Sequence, residues 1–191
     1  MPRAGLSHDR IVAEAAAVAD EVGLDNLALA TVAKRRGVSL PGLYKHVAGL
    51  NAVKRDISVL AIRELTGRLA RASAGLAAGD ALRAMSAAYR EYAMTYPGRY
   101  SASLRAPDPG DDEYIEASGQ AVGVAAAVLQ GYGLAGQDLV HAIRMWRSAC
   151  HGLASLEAAG GFGLPESVDV TFERLIDALD DAFSPARRDR P

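Results

Sequence analysis

Hydroxyl, phenol, ammonium and imidazole groups are concentrated between positions 39 and 46, together with four residues that lack a polar side chain. Hydroxyl, ammonium and imidazole groups can bind phosphate oxygens, and apolar groups can contact base edges. The combination therefore predicts a surface that binds nucleic acid. The candidate residues are Ser39, Leu40, Pro41, Gly42, Tyr44, Lys45 and His46.

Two short helices are predicted to position these residues. Apolar Leu29, Val32 and Ala33 follow helical spacing, and the first helix is predicted to end at Gly37. Ser39 then suits the N-cap of a second helix, with a proline near its first position, where the missing N–H costs nothing. Two short helices joined by a glycine-containing turn form the unit that enters the major groove of DNA.

The second of these helices has an inner and an outer side. Leu43 and Val47 lie four residues apart and form the predicted inner side. The candidate residues then face outward or sideways. We predict that Tyr44 and His46 bind phosphates, and that the other five lie at or near base edges.

Three segments carry a family resemblance: ATVAKRRG, the GVS turn and GLYKHV. Together they resemble the DNA-binding segment of the TetR family of bacterial regulators, over roughly residues 7–67. A second resemblance lies in MWRSACHGLASLEAAGGFGLP, where Trp146, His151 and Gly152 are similar to the WHG-type ligand-binding domain of one branch. Ala28 and Leu50 depart from the family, because many members have Thr and Lys there, so those two phosphate contacts are not carried over.

The resemblance implies a sequence-specific transcriptional regulator that binds an inverted-repeat operator in double-stranded DNA as a homodimer. It further implies a repressor that a small organic effector releases. The alternative is a helical ligand-binding or interaction protein that has lost operator binding, an alternative that the departures at Ala28 and Leu50 keep open. An enzyme is not expected, because GxSxG, HExxH and paired-cysteine motifs are absent from the sequence. We predict no catalytic residue, cofactor or metal site.

Helical periodicity runs through nearly the whole chain, without the alternation of a β-strand. The predicted fold is all-α, with about nine helices. An N-terminal three-helix DNA-binding domain with the helix-turn-helix is predicted over residues 1–49, and the family match extends into the linking helix, to about residue 67. A larger helical effector-binding and dimerisation domain is predicted over 50–184, followed by a disordered tail over 185–191.

Caps and breakers predict the bounds of individual helices. Ser7 is the predicted N-cap of the first helix and Asp80 that of the fifth, while Val22 is placed on the buried face of the first. Acidic residues at 111–113 are predicted to open the seventh helix, with a metal site as the alternative. The predicted ranges are 8–22, about 50 onward for the fourth helix, 99–105 for the sixth, 138–159 for the eighth and 166–183 for the ninth.

Aromatic, sulfur and imidazole side chains cluster in the predicted fifth, sixth and eighth helices. Core packing explains most such residues in a helical bundle, but aromatic walls with a few polar tips also suit a small organic ligand. Both interpretations stay open for Trp146 and His151. The candidate effector-pocket residues are Tyr89, Tyr92, Met94, Tyr96, Tyr100, Met145, Trp146 and His151.

The ninth predicted helix carries an apolar stripe that contains Phe172, Leu175, Ile176 and Leu179. Packing inside one chain explains such a stripe, and so does packing against a second copy. The family resemblance implies the second, with helices eight and nine pairing with their symmetry mates in a four-helix dimer interface.

Composition restricts the remaining classes. Residues 1–60 carry a net charge of +2 and residues 61–191 a net charge of −4, and the three lysines, Lys34, Lys45 and Lys54, lie in or beside the helix-turn-helix. Cys150 is the only cysteine, so no intrachain disulfide forms, and a buried, inert thiol in a cytoplasmic protein is expected. The most apolar run is about half a membrane span, so no membrane partner is predicted.

The glycines Gly131, Gly133 and Gly136 have the GxGxxG spacing of dinucleotide-binding proteins. That motif requires a preceding β-strand, whereas an alanine-rich helical segment precedes it here. We therefore predict a turn between two helices at this position.

Overall fold

The computed structural model describes residues 6–184, which form nine α-helices and a single 3₁₀ turn at Leu24–Asn26, with no strand among them. The prediction of an all-α fold is confirmed. The tail at 185–191, predicted to be disordered, lies outside the described residues. The helices are α1 His8–Val22, α2 Leu29–Arg36, α3 Leu40–Leu43, α4 Leu50–Ser73, α5 Ala78–Thr95, α6 Pro97–Ala102, α7 Asp112–Gln130, α8 Gly136–Ala158 and α9 Val168–Phe183.

Most predicted helix bounds hold within two residues, and the differences have local causes. Ser7 caps α1 as predicted, and its Oγ accepts a hydrogen bond from the backbone N–H of residue 10 at 3.4 Å. Asp80 is not the cap of α5, since that helix begins at Ala78 and Asp80 lies in its first turn. The sixth helix begins at Pro97, because the fixed φ of proline suits a first helical turn. Val22 is 44% exposed, so its placement on the buried face was wrong; the buried face of α1 ends at residue 19.

Contacts along the chain define two compact units. The first contains the described residues up to 63 together with 96–117, and the second contains 64–95 and 118–184. Residues 50–63 and 96–117 therefore pack with the N-terminal helices, beyond the predicted boundary at 49. The functional division into a DNA-binding and an effector-binding domain stays a prediction.

The first unit closes around one apolar core. Leu43 and Val47 are both buried, which confirms the predicted inner side of the second helix of the helix-turn-helix. α6 also contributes to this core, although it begins about fifty residues after the start of α4. The fully buried members of the core include Ile11, Ala15, Val32, Leu43, Val53, Ile57 and Ala102.

α6 packs on α1 with almost no space between the backbones. A Cβ atom on Gly98 would lie 2.1 Å from the carbonyl oxygen of Ala19, so only glycine fits there. Asp20 reinforces the contact, because its Oδ1 accepts a hydrogen bond from the backbone N–H of Arg99 at 2.8 Å. Its Oδ2 lies 3.0 Å from Nε of the same arginine. A side chain of α1 thus satisfies a free N–H group at the start of α6.

An ion-pair network connects α4 to the start of α7. Arg55 donates hydrogen bonds to both carboxylate oxygens of Asp111 and, at 2.7 Å, to Oε2 of Glu113. Arg63 donates to the other oxygen of Glu113 at 2.9 Å. Asp111 also accepts from the backbone N–H of Tyr114 at 3.2 Å, which confirms that the acidic residues open α7. The carboxylates of Asp111 and Glu113 accept hydrogen bonds from arginines and from a backbone N–H, so this clustering of acidic residues is explained without a metal ion.

Three smaller predictions concern the cysteine, the glycine pattern and the length of the apolar helices. The thiol of Cys150 is buried as predicted, and burial raises its pKa to about 12, so it is a weak nucleophile. The glycines of the GxGxxG pattern lie where α7 ends and α8 begins, which confirms the predicted turn. Among the described residues, no helix combines the length and the apolar character needed to cross a membrane.

The close approach of α6 and α1 predicts a large effect for Gly98→Ala. The added methyl group overlaps backbone atoms, which cannot rotate away, so we expect the free energy of unfolding to fall by about 2–3 kcal/mol. Urea unfolding followed by circular dichroism measures this. Gly119→Ala on α7 is the matched control: no atom lies within 4 Å of its Cβ, and we expect a gain of about 0.5–1 kcal/mol. Equal effects of the two substitutions would contradict the close packing.

The ion-pair network predicts a loss of stability in acid. Hydrogen bonds from Arg55 lower the pKa of Asp111 below its ordinary value of 3.8 and that of Glu113 below 4.5. Their stabilisation is therefore complete above pH 4.5 and is lost as the pH falls through the lowered values.

We expect Arg55→Met to be less stable than wild type in urea at pH 7, and the difference to shrink towards pH 3. Arg105→Met is the control, because Arg105 is exposed and makes no ion pair within residues 6–184. A difference between Arg55→Met and wild type that is the same at both pH values would exclude the network as its source.

Candidate nucleic-acid interface

The turn between α2 and α3 depends on a glycine. Gly37 has φ 67° and ψ 32°, a left-handed conformation that glycine adopts at little cost. Its N–H donates to the carbonyl of Lys34, and the N–H of Val38 donates to the carbonyl of Ala33 at 3.0 Å. These bonds end α2 where the sequence predicts and direct the chain into α3.

α3 is a single helical turn that its own N-cap stabilises. The Oγ of Ser39 accepts a hydrogen bond from the backbone N–H of Gly42 at 3.2 Å, which confirms the predicted cap. A Cβ on Gly42 would lie 3.1 Å from that oxygen, so the missing side chain leaves room for the cap. The last bond, from the N–H of His46 to the carbonyl of Leu43, spans three residues rather than four. Residues 44–46 therefore form a turn instead of continuing the helix.

The candidate residues lie on the outer side of α3 and of this turn. Tyr44 is 53% exposed and Leu40 36%, whereas Leu43 is fully buried. Lys45 and His46 are also exposed, and Gly42 is half-buried. The structure therefore leaves the predicted surface accessible. Its contacts with DNA stay a prediction.

The arginines of α2 are held by α1. The Nε of Arg35 lies 2.8 Å from Glu14 and its Nη1 2.7 Å from Glu21. The hydrogen bond to Glu21 and the charges of both carboxylates raise the pKa of Arg35. Arg36 also lies 3.6 Å from Glu14. These pairs are not among the sequence-based predictions, although two glutamates seven residues apart on one side of α1 are a usable signal.

The two lysines that flank the turn are accessible cations. Lys34 and Lys45 are exposed, and neither makes an ion pair within residues 6–184. Ala28 is the N-cap of α2 and provides no side-chain hydrogen bond there, as expected from its departure from the family pattern. The positive charge at this surface is therefore carried by lysine rather than by arginine.

Three residues of the predicted effector pocket form part of the core of the second unit. The indole Nε1–H of Trp146 donates to Ser86 Oγ at 2.8 Å, and the Trp146 ring meets Tyr89 edge-on at 5.5 Å between centroids. The hydroxyl of the fully buried Tyr92 donates to Glu64 at 3.0 Å. These contacts give each of the three rings a packing role.

The other predicted pocket residues have different surroundings. Tyr96 and Tyr100 belong to the first unit, and Tyr100 is buried there. His151 lies 3.2 Å from Ser155 on its own helix, and Met145 is 49% exposed. Met94 lines a groove. The eight candidates are thus divided between two units, and whether any of them touches an effector stays a prediction.

The groove that Met94 lines lies between α5 and α9 and has a volume of about 930 Å³. Its apolar floor also includes Phe172 and Ile176. Arg90 lies over the ring of Phe172, 5.0 Å from the centroid, and binds Glu157 at 2.6 Å. This groove is a second candidate for a ligand site.

The apolar stripe of α9 faces its own chain. Phe172, Ile176 and Leu179 are each at most 9% exposed, because α9 packs on α5 and α8. Leu175 is half-buried. Packing within one chain accounts for this stripe, and dimer contacts by the three buried residues would require taking them out of the core. Apolar side chains that are exposed instead include Val140, Met145 and Leu156 on α8 and Val170 on α9.

Comparison with known proteins identifies relatives along most of the chain. A family model described as "Tetracyclin repressor-like, C-terminal domain" matches residues 82–179, about half of the chain. An uncharacterized HTH-type transcriptional regulator of Mycobacterium tuberculosis, Rv0681, is 40% identical over 158 residues, 82% of this chain and 72% of that protein. YobS of Bacillus subtilis, also an uncharacterized HTH-type transcriptional regulator, is 31% identical over 87% of both chains.

Solved structures share the fold over nearly the full length. A protein of unknown function from Rhodococcus sp. RHA1 has a TM-score of 0.77 and 23% identity, covering 96% of both chains. A TetR variant from Acinetobacter baumannii AYE, in complex with minocycline, has a TM-score of 0.69 and 20% identity, covering 94% of this chain and 97% of its own.

Proposed function

This chain belongs to the TetR family of transcriptional regulators, and we propose that it is a repressor that leaves its operator when a small organic effector binds. The observation that carries the proposal is the outer side of α3 and of the turn after it, where Tyr44, Lys45 and His46 are exposed on a helix-turn-helix with a closed core. Under this proposal the protein acts in the cytoplasm, where it binds an operator that is an inverted repeat.

The proposed contacts follow from the chemistry of the exposed groups. Tyr44 and His46 carry a hydroxyl and an imidazole that donate to phosphate oxygens, and Lys45 adds a positive charge. Ser39, Leu40, Pro41 and Gly42 precede them and lie nearest the base edges. The alternative, a family member that has lost operator binding, is favoured by Ala28 and Leu50, which supply no phosphate contact.

The effector is proposed to act through α4. This helix begins four residues after His46, and its residues beyond 63 belong to the second unit. An effector that prefers one arrangement of the helices in that unit can shift the recognition turn only through such a shared element. Coupling of this kind is typically about 1–3 kcal/mol and is reciprocal, so operator DNA should weaken effector binding by the same factor.

We also propose that the exposed face of α8 forms the dimer interface. Met145 and Leu156 are each about half exposed, and Ser148 and Gly152 lie between them on the same side of the helix. Small residues between two large apolar ones let a second helix approach closely. The proposed interface therefore uses α8, one of the two helices that the resemblance implies, and different side chains from those predicted on α9.

The proposed DNA contacts predict two classes of variant. An operator selected from random DNA by the full-length protein serves as the probe in fluorescence anisotropy. Tyr44→Phe and His46→Ala should weaken binding for every sequence. Lys45→Ala should lower the salt slope by up to about one contact if the ammonium binds phosphate, or cost about 1–3 kcal/mol at one base pair if it binds guanine.

Arg71→Ala removes an exposed cation from the second unit and should change neither the affinity nor the salt slope. Unchanged affinity and salt slope for all three recognition variants would exclude this surface. Failure to select any DNA sequence would favour the alternative function.

The proposed dimer interface predicts dissociation by charge. Met145→Glu and Leu156→Glu would each bury an unpaired carboxylate in the dimer, so the mass in light scattering should fall from about twice 20.0 kDa to about 20.0 kDa. Circular dichroism should show a folded chain. Val122→Glu, at an equally exposed position on α7, should stay dimeric. Leu179→Arg should unfold the chain instead, because Leu179 is buried within it. Folded dimers of both α8 variants would place the interface elsewhere.

A further inference from the structure

We infer that Leu40 recognises the C5-methyl group of thymine, and that this apolar contact is a main source of operator specificity. The inference rests on the proposed function, because it assumes that α3 enters the major groove. It goes further by naming the chemical group on the DNA that the protein distinguishes. Few other side chains of the helix-turn-helix are able to contact a base edge.

The side chains that typically recognise adenine or cytosine through hydrogen bonds are absent from the helix-turn-helix. Adenine is typically bound by Asn or Gln and cytosine by Asp or Glu. Between positions 27 and 50, which cover α2, the turn and α3, the sequence contains none of these four residue types. Specificity from amide or carboxylate contacts is therefore unavailable to the helix-turn-helix itself.

Guanidinium groups are also engaged elsewhere. Arginine bound to guanine is the commonest specific contact in the major groove. The two arginines of the helix-turn-helix, Arg35 and Arg36, form ion pairs with Glu14 and Glu21 of α1. Two accessible lysines remain, Lys34 on α2 and Lys45 in the turn after α3. At the end of α3, charged contact with guanine therefore relies on the flexible ammonium group of Lys45.

The hydroxyl of the first recognition residue already has a structural role. Ser39 Oγ accepts the N–H of Gly42, and Gly42 itself has no side chain. Leu40 is then the first side chain of α3 that can reach outward, and it is 36% exposed, while Leu43 in the same helical turn is fully buried. Leu40 and Tyr44 are four residues apart and lie on the same side, with Pro41 beside them.

The exposed apolar side chain of Leu40 is complementary to one substituent on the bases. Among the four bases, only thymine presents a methyl group in the major groove. Contact between Leu40 and that methyl removes apolar surface of both from water, which favours thymine over cytosine or uracil at the same position. The neighbouring Pro41 extends the same surface and cannot donate a hydrogen bond that would compete.

The test deletes single methyl groups from the DNA. The full-length protein selects its operator from random DNA, and each thymine of a half-site is then replaced by uracil, which keeps every hydrogen bond of the base pair. We expect one or two positions per half-site at which this change weakens binding about threefold to tenfold. In Leu40→Ala, the difference between thymine and uracil at those positions should disappear.

Two further variants make the result specific to Leu40. Leu40→Met keeps a large apolar side chain and should retain the preference for thymine. Tyr44→Phe should bind all operators more weakly but discriminate between thymine and uracil as wild type does. Specific DNA binding without any uracil-sensitive position, or with a sensitivity that Leu40→Ala retains, would overturn the inference alone. Failure to select DNA would overturn the proposed function together with it.

Discussion

The burial of Leu43 is the constraint on which the recognition surface depends. α3 is four residues long, and a helix of one turn is not stable by itself in water. Its position is set by Leu43, which is fully buried in the core that α1, α2 and α4 share, and by Val47 after it. The Ser39 cap and the left-handed Gly37 then orient the turn on this anchor. The exposed recognition groups are therefore positioned by the buried contacts of Leu43 and Val47 on the opposite side of the helix.

Charges in the first unit serve structure more than DNA binding. Arg35, Arg55 and Arg99 each bind carboxylates of another segment. Partly exposed pairs contribute little individually, but each connects segments that are distant in the chain. The lysines that make no ion pair within the described residues are left for an external partner. A division of labour of this kind is consistent with a protein whose net charge is only −2 and that nevertheless binds DNA.

Local signals in the sequence predicted the helix-turn-helix well. The Gly37 stop, the Ser39 cap and the inner pair Leu43 and Val47 are each determined by neighbours within a few residues, and all three are confirmed. The predictions that failed concern where a helix begins and where its buried face ends. Asp80 resembles a cap, but it lies inside a helix that begins two residues earlier, and Val22 follows the helical spacing of α1 but is 44% exposed.

The second unit shows why amphipathic patterns do not identify a partner. A stripe such as that of Phe172, Ile176 and Leu179 requires an apolar surface, yet the periodicity is the same whether that surface belongs to α5 or to another molecule. The aromatic residues pose the same problem, because Trp146 and Tyr89 fill space that one could equally assign to a ligand. Only the exposed fraction of each side chain distinguishes the two cases.

The passage of α6 across α1 has a consequence for how the protein is made. The core around Leu43 includes Ala102, so the unit that carries the recognition turn is discontinuous in sequence. During synthesis, the N-terminal helices leave the ribosome first, but the surface that α6 covers stays open until about fifty further residues have followed. The same discontinuity limits gene fusion. A recombination that joins residues 1–63 to a foreign effector domain would separate Ala19 from Gly98, so a transplanted recognition unit needs the segment around α6 as well.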